Sequence, residues 1–379
     1  MIMRVTQFVN SFVNRPGNIG VRTGYILKRL EESSACVCRG AQDHLNGVEY
    51  REMGVIGHIP RILNGIRIRF APGFDHRKWD IALYENYALR QSKTLSTNIA
   101  HVWDVCPKLI RALKKSGIPV LLDIPIAPSF YGEQLYRNGQ ADFLRGSARL
   151  QDLEQQAISE ADLIVAPSEF VATVLRQMGV SGDRISIIEF GVNVPVDLSK
   201  INKSKIAKKP GIDYCLFGNI NRRKGVPELI KVWSDSAFKE DRLHLCGRVN
   251  SDVQDHLKRP TAGSIVTPGF VAPFEYMPNC DVFVLPSWLE GSAKAVYEAM
   301  ACGLPSIVTH STGSIVRDGV DGFVIDAGDV EALKDRMLWF KRNPEQISVM
   351  GKAAKTRVQE FTWDRYAQRV INQYQSIRA

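Results

Sequence analysis

Short apolar runs alternate with longer amphipathic segments along most of the chain, a pattern typical of βαβ units and of a parallel sheet covered by helices. In the first half, the apolar runs predict strands at Arg4–Val9, Ala35–Cys38, Ile66–Phe70, Thr97–Val102, Val120–Ile124, Leu163–Pro167 and Ile185–Ile188. Apolar residues at three- and four-residue intervals predict helices that include Thr23–Glu31, Lys108–Ser116 and Arg149–Glu160.

The stretch from residue 193 to 211 interrupts this pattern with prolines and a polar, basic run, so we interpret it as a linker between domains. A second α/β series follows, with strands near Asp213–Phe217, Leu243–Cys246, Ser264–Pro268, Val282–Pro286, Ser306–Thr309 and Phe323–Ile325. We therefore predict two doubly wound α/β domains, residues 1–195 and 212–361, joined by residues 196–211. In such sheets ligands bind at the carboxyl ends of the strands, so two facing domains form a cleft.

Composition agrees with two globular domains and indicates an anionic ligand. The 379 residues are 45% hydrophobic and 23% charged, too long a chain for one ordinary core. The formal net charge of +9 is spread along the chain. A diffuse positive field suits a nucleotide diphosphate, an anionic membrane surface or a nucleic acid, and charge alone leaves the three open.

The cysteines and the N-terminus indicate a reducing compartment. The seven cysteines follow no metal-ligand spacing, and their odd number argues against a secreted disulfide framework. The first residues, with Arg4 among them, form no signal peptide, and no apolar run reaches the length of a membrane span. We expect a cytoplasmic protein, attached at most to the inner face of a membrane.

A basic loop follows the first predicted strand of the second half. The sequence Leu216-Phe-Gly-Asn-Ile-Asn-Arg-Arg-Lys-Gly ends a strand at Gly218 and opens a helix that has a proline in its first turn. The loop carries Arg222, Arg223 and Lys224. Beside the free N–H groups of a helix start, these cations form a pocket suited to a diphosphate. A solvated basic turn is the alternative interpretation.

A second loop and helix follow the strand that stops at Pro286. The loop delivers Glu290, and we expect Ser292 to cap the helix that comes next. Free N–H groups near Ala293 and Lys294 would stabilise an anion through the helix dipole.

The helix also contains Glu298, eight residues after Glu290. This spacing lets the two carboxylates address different parts of one ligand, such as sugar hydroxyls and ribose hydroxyls. The alternative for Glu298 is an ordinary i,i+4 pair with Lys294 on the helix surface.

Together, the basic loop, the Glu290-x7-Glu298 pair with Gly291, and the Ala-Cys-Gly-Leu-Pro ending at residue 305 resemble glycosyltransferase family 4, of the GT-B fold. GT-B consists of two Rossmann-like domains facing across a cleft. The sequence Gly269-Phe-Val resembles the family's loop beside the nucleotide base, and residues 312–323 resemble its next glycine-containing segment. The last segment, about 362–379, resembles the family's terminal helix, which crosses back onto the first domain.

The resemblance implies a retaining transfer from a nucleoside-diphosphate sugar without a metal or other cofactor. It assigns Arg223 and Lys224, with Arg222 as a lesser contributor, to the diphosphate as it leaves. It assigns Glu290 to the donor sugar and the reacting centre, and Glu298 to the ribose. The further donor contacts it implies are Gly218, Phe270, Gly291, Ser292, Ala293 and Lys294. The chain has no Asp-x-Asp pair of the sort that holds a divalent ion with a diphosphate.

The first domain offers weaker candidates. Gly17 and Gly20 follow the first strand, where they would allow the backbone to approach the diphosphate and acceptor, or form a structural turn. Asp123 stands at the end of a strand and could position a polar ligand. For His101 a hydrogen-bonded structural role is favoured over one in the cleft. Three aromatic residues line an acceptor groove or only fill the core: Phe130, Tyr131 and Tyr136.

Pro128 stands where many relatives place a histidine that contacts the donor sugar. This departure leaves open a different donor, a realigned loop or a loss of activity. The prediction is a glycosyltransferase that acts on a glycan, lipid-linked or other glycoconjugate acceptor in surface polysaccharide or lipopolysaccharide biosynthesis. The alternatives are a degenerate partner subunit that binds nucleotide or glycan, and a nucleotide-sugar epimerase or phosphorylase of the same fold. Nothing in the sequence resembles a nucleic-acid-binding module.

Overall fold

Two parallel β-sheets, one in each half of the chain, form the framework of the computed structural model, which describes residues 3–13, 18–30, 34–58, 76–194 and 211–377. The first sheet has the strand order β3-β2-β1-β4-β5-β6-β7, and the second has the order β10-β9-β8-β11-β12-β13. The strands of the first sheet are β1 Val5–Val13, β2 Ser34–Ala41, β3 Val48–Glu52, β4 Ile99–Val102, β5 Val120–Asp123, β6 Leu163–Ala166 and β7 Ile185–Ile187. The strands of the second sheet are β8 Asp213–Phe217, β9 Arg242–Cys246, β10 Ser264–Gly269, β11 Val282–Leu285, β12 Ser306–Thr309 and β13 Gly322–Ile325.

Helices flank both sheets, as parallel crossovers require. Those of the first half are α1 Asn18–Leu30, α2 His76–Ser92, α3 Pro107–Lys115, α4 Ser129–Arg137, α5 Ala148–Glu160 and α6 Glu169–Gln177. Those of the second half are α7 Val226–Trp233, α8 Gln254–Leu257, α9 Pro273–Tyr276, α10 Lys294–Ala301, α11 Val330–Arg342, α12 Pro344–Val358 and α13 Trp363–Ser376.

Each sheet reverses its strand order at one point, and these points locate the binding crevice. In the first sheet the reversal lies between β1 and β4, and in the second it lies between β8 and β11. The strands at both points are almost wholly buried, so the polar side chains that could bind a ligand come from the loops after their carboxyl ends. The loops after β8 and β11 are the two that carry the basic residues and Glu290.

The last helix, α13, returns to the first sheet. Its buried residues recur at three- and four-residue intervals and so form one apolar face. The Tyr374 hydroxyl accepts a hydrogen bond from the Gln7 side chain at 2.8 Å and lies 2.7 Å from His101 Nδ1. Arg22 donates to the Tyr366 hydroxyl at 3.2 Å. Polar contacts therefore add specificity to the packing of α13 on the first half of the chain.

The predicted fold class is confirmed, with local differences. Strand β3 was not predicted, because it is an edge strand of half-buried, partly charged residues and lacks the apolar signature of a central strand. Strand β1 runs to Val13, beyond the predicted end at Val9, through an irregularity in its pairing with β2. The predicted strand at Ile66–Phe70 and residues 195–210 of the predicted linker region lie outside the described residues. The domain boundaries stay predictions.

Candidate active site

The loop after β8 is shaped by two glycines and an asparagine. Gly218 has φ +117° at the end of the strand, and Asn221 Oδ1 accepts a hydrogen bond from the Lys224 N–H at 3.1 Å, which closes a short 3₁₀ turn. Gly225 then has φ +71°, and a Cβ there would lie 2.1 Å from the Pro286 carbonyl oxygen. Only glycine fits this position, so the basic loop is held directly against the end of β11.

Arg223 and Lys224 converge on Glu290 from the neighbouring loop. Lys224 Nζ lies 3.0 Å from Glu290 Oε1, and Arg223 Nη1 lies 3.1 Å from Glu290 Oε2. Arg223 also donates to the Leu289 carbonyl oxygen. The Lys224 and Glu290 side chains are only 10% and 13% exposed, so these are largely desolvated, charge-assisted contacts. The structure thus brings together three of the residues that the sequence singled out.

The electrostatics of this cluster favour an anion. Burial acts to raise the pKa of the Glu290 carboxyl, but Lys224 and Arg223 outweigh it and hold the pKa below its usual range. Glu290 is therefore ionised at neutral pH. The cluster carries one net positive charge, because one carboxylate opposes two cations.

Gly218 controls the position of Lys224. A Cβ on Gly218 would lie 3.1 Å from Lys224 Cε and 3.3 Å from its Nζ, and the positive φ would add strain. Gly218, which the sequence predicts as a donor contact, therefore also packs against the Lys224 side chain.

The loop that carries Glu290 touches the first half of the chain at Gly291. A Cβ on Gly291 would lie 1.9 Å from the carbonyl oxygen of Pro125, which follows β5. Ser168 Oγ, beside the start of α6, donates to the Gly291 carbonyl oxygen at 2.6 Å. The carboxyl ends of the two sheets therefore meet at the residue next to Glu290.

The start of α10 differs from the prediction in two details. The residue at the N-cap position is Ala293, and Ser292 Oγ instead lies 2.8 Å from the buried Tyr297 hydroxyl, so the predicted serine cap is wrong. The Ala293 N–H donates to the Thr312 carbonyl oxygen at 3.3 Å and is not free for an anion. The Val296 N–H donates to the Ala293 carbonyl oxygen at 2.9 Å, so the N–H groups at the start of the helix that have no carbonyl of a preceding turn are those of Lys294 and Ala295.

Glu298 forms the contact that the sequence offered as its alternative. Its Oε1 lies 2.9 Å from Lys294 Nζ, one helical turn away. The Glu298 side chain is 10% exposed and that of Lys294 is 47% exposed, so the carboxylate is largely buried and only the lysine reaches the surface. A role of Glu298 towards a ribose stays a prediction.

Arg222 and Phe270 lie apart from the cluster. Arg222 points away from Arg223 and Lys224 and forms an ion pair with Asp142 of the first half at 2.7 Å. Phe270 follows β10 and is 93% exposed, as a residue open to a planar ligand would be.

The candidate site residues of the first half lie in different surroundings, and some of them do not face the cleft. Gly20 is buried in the first turn of α1, and Gly17 lies outside the described residues. Asp123 does not face the cleft: it is 1% exposed and receives two hydrogen bonds of 2.9 Å from Arg22. His101 is fully buried against Tyr374, the structural role favoured for it. Pro128 precedes α4.

Several residues of this region were not predicted from the sequence. Ser168, Asp142, Phe143 and Trp288 all take part in contacts between the two halves. Their partners are distant in the chain, so no local sequence spacing predicts these contacts. Only Trp288 could have been selected from the sequence, because it lies two residues before Glu290.

A cavity of about 450 Å³ lies beside the Ser168–Gly291 contact. Its walls come from both halves: Phe170 and Thr173 of α6, and residues that follow β12, among them His310 and Ser314. Hydroxyl groups, an aromatic ring and apolar side chains therefore face one space between the sheets.

Two absences concern the described residues alone. Across these ranges, no three histidine, cysteine or acidic side chains are grouped as a metal site would need. Within the same part of the chain, no helix has both the length and the apolar character that a bilayer crossing demands.

Comparison with known families matches both halves of the chain. Residues 36–195 match the family described as Glycosyltransferase Family 4, and residues 212–343 match that described as Glycosyl transferases group 1. Sucrose synthase of Acidithiobacillus caldus is 40% identical over 97 residues, which are 24% of this chain and 12% of that protein. Against four of the curated relatives, the chain spans between 12% and 65% of their length.

A longer match is with N,N'-diacetylbacillosaminyl-diphospho-undecaprenol alpha-1,3-N-acetylgalactosaminyltransferase of Campylobacter jejuni, 23% identical over 66% of this chain and 68% of that protein. Among solved structures, HepE of Anabaena in complex with UDP and glucose superposes with a TM-score of 0.69 at 16% identity, over 99% of this chain and 100% of that one. Since both halves match the family and the whole chain superposes on this two-sheet architecture, the chain belongs to glycosyltransferase family 4 and has the GT-B fold.

Proposed function

We propose that the protein is a retaining, metal-independent glycosyltransferase that moves a sugar from a nucleoside-diphosphate sugar to a glycan, lipid-linked or other glycoconjugate acceptor. The observation that carries the proposal is the convergence of Arg223 and Lys224 on Glu290 where the carboxyl ends of the two sheets meet. This is the place at which doubly wound sheets bind ligands.

The two cations are suited to the departing diphosphate. Negative charge grows on the leaving group as the bond to the sugar breaks, and fixed cations in a desolvated site stabilise it without reorganisation. Arg223 and Lys224 are already oriented by Asn221, by the Leu289 carbonyl oxygen and by Glu290. In this proposal they perform the task that a divalent ion performs in metal-dependent transferases.

Glu290 is suited to the donor sugar. Because its pKa is lowered, it is ionised at neutral pH and does not serve as a general acid. A carboxylate accepts hydrogen bonds from sugar hydroxyls, and it stabilises the positive charge that develops on the sugar ring in an oxocarbenium-like transition state. Glu290 would therefore orient the donor and assist the same bond cleavage as the cations.

The acceptor side of the proposal rests on the cavity between the halves. Phe170 offers an aromatic face, and Thr173 and Ser314 offer hydroxyl groups, a combination suited to a sugar. The Campylobacter relative is named for a lipid-linked acceptor, and we extend that acceptor class to this chain in surface polysaccharide or lipopolysaccharide synthesis. A cytoplasmic location with peripheral contact to anionic lipid is part of the proposal, supported by the net charge of +9.

A donor screen tests the proposal. Thermal shifts with UDP, GDP, ADP and their common sugar conjugates identify the donor, since a ligand that binds only the folded state raises the melting temperature. The selected donor is then incubated with candidate acceptors in a chelating buffer, and the anomeric configuration of the product is read by NMR. We expect transfer with retention in the chelator. Inversion, or a requirement for metal, would refute those parts of the proposal.

A further inference from the structure

A short turn of the first half reaches across the cleft to the basic loop. The turn, Asp142–Leu144, follows α4 and ends in the same small apolar cluster as Trp288 of the second half. Asp142 Oδ1 lies 2.7 Å from Arg222 Nη2, and the Arg222 guanidinium stacks over the Phe143 ring at 4.5 Å. Arg222 of the basic loop is therefore held by an ion pair and by a cation–π contact, both with neighbouring residues of the first half.

The same turn also contacts the other end of the site. The Phe143 ring packs nearly perpendicular to Trp288, with centroids 6.2 Å apart. Trp288 in turn contacts the basic loop and the helix that follows it. Its backbone N–H donates to the Arg223 carbonyl oxygen at 2.8 Å, and its indole N–H donates to Glu228 Oε1 at 3.0 Å. The contact thus runs from Phe143 through Trp288 to the backbone of the residue that pairs with Glu290.

Arg222 and the two residues that follow it have different partners. Its guanidinium is bound to Asp142 and Phe143, while Arg223 and Lys224, the next two residues, face Glu290. The carboxylate of Asp142 neutralises Arg222, so the arginine serves to anchor the loop rather than to add charge near Glu290. The family resemblance gave Arg222 a lesser role towards the diphosphate, and that role stays a prediction, because its guanidinium here contacts Asp142 and Phe143.

We propose that Asp142 and Phe143 are positioning residues that fix the basic loop, through Arg222 and Trp288, in the arrangement required for transfer. They join the two halves at a contact distinct from the chain crossing near Phe361, where the Val192 N–H donates to the Phe361 carbonyl oxygen at 3.0 Å. In this arrangement the Asp142–Arg222 ion pair and the Phe143–Trp288 ring contact hold the two halves together beside the loop that carries Glu290. The part of this inference that concerns transfer rests on the proposed function, and the part that concerns closure does not.

Charge reversal gives a direct test. Asp142 is 75% exposed in its side chain, so Asp142→Lys is expected to fold, with Asp142→Ser as a milder second variant. Asp142→Lys places a cation against Arg222 and should lower kcat about five- to tenfold, while KM for the donor changes little because Arg223 and Lys224 remain. The double variant Asp142→Lys with Arg222→Glu restores an opposite-charge pair and should recover most of the lost kcat.

A second readout needs no substrate. Small-angle scattering of the full chain should give a larger radius of gyration for Asp142→Lys than for the wild type, and the double variant should return to the wild-type value. A double variant that is as impaired as Asp142→Lys would overturn the inference, and so would an unchanged radius together with an unchanged kcat. If the wild type turns over no nucleotide sugar, the proposed function fails, and scattering alone decides whether this contact closes the cleft.

Discussion

Replacing Gly291 by alanine is predicted to hold the two halves of the site apart. The new Cβ would lie 1.9 Å from the Pro125 carbonyl oxygen and 2.7 Å from Ile126 Cα, and both neighbours are backbone atoms that no rotamer change can move. An ordinary contact begins near 3.4 Å, so the gap must widen by about 1.5 Å. Gly291 does not have a positive φ, so the effect comes from the close approach and not from backbone strain.

This displacement has a calculable cost for transfer. Misplacing reacting groups by about 1 Å costs on the order of 10²-fold in rate, so we expect kcat of Gly291→Ala to fall about 100-fold. Arg223, Lys224 and Glu290 all lie on loops of the second sheet, so affinity for the nucleoside diphosphate should change less than about threefold.

The assay compares steady-state transfer with calorimetric nucleotide binding for the same preparations. Gly182→Ala is the matched control, because a Cβ there meets nothing within 4 Å and the backbone does not have a positive φ. A Gly291→Ala protein with kcat close to that of the wild type would refute the view that closure at this residue completes the site.

Three further predictions concern charge and stability. Lys224→Met removes a desolvated ammonium and should weaken nucleoside-diphosphate binding about 10- to 100-fold by calorimetry, whereas Lys231→Met on the exposed face of α7 should not; equal affinities would contradict the role of Lys224. Asp123→Asn leaves the buried Arg22 without its carboxylate and should cost about 3–5 kcal/mol of unfolding free energy in denaturant titrations, against little change for the exposed Asp364→Asn; a loss below about 1 kcal/mol would argue against a buried ion pair. Burial and the nearby Arg22 lower the pKa of His101 well below 6.5, so below that pH the unfolded chain binds a proton that the folded chain does not, and stability should fall with falling pH by up to about 1.4 kcal/mol per pH unit. His101→Gln should lack this component between pH 6.5 and 5, and an identical pH profile would show that His101 is not the group responsible.

Much of the site could be predicted because its chemistry lies in two local segments. A strand, a glycine, a short polar loop and a helix with a proline in its first turn are recognisable in the sequence, so the loops that carry Arg223, Lys224 and Glu290 could be located before their distances were known. Their convergence followed from the rule that neighbouring parallel strands present their carboxyl ends at one edge.

What could not be predicted depends on distant partners. The direction of Arg222 is set by Asp142, 80 residues earlier, and the burial of Asp123 is set by Arg22, 101 residues away. Serine is a residue type that often caps helices, but the hydroxyl of the buried Tyr297 competes for the Ser292 side chain. In each case the local pattern was compatible with two partners, and tertiary packing selected one.

The most direct test of the central claim is the rate of sugar transfer by Glu290→Ala with the donor that the screen identifies. Glu290 is the residue on which both cations converge, and it lies beside the contact between the two sheets. We predict that transfer is abolished while the circular dichroism spectrum is unchanged and nucleotide binding persists. Transfer at the wild-type rate by the folded variant would contradict the account.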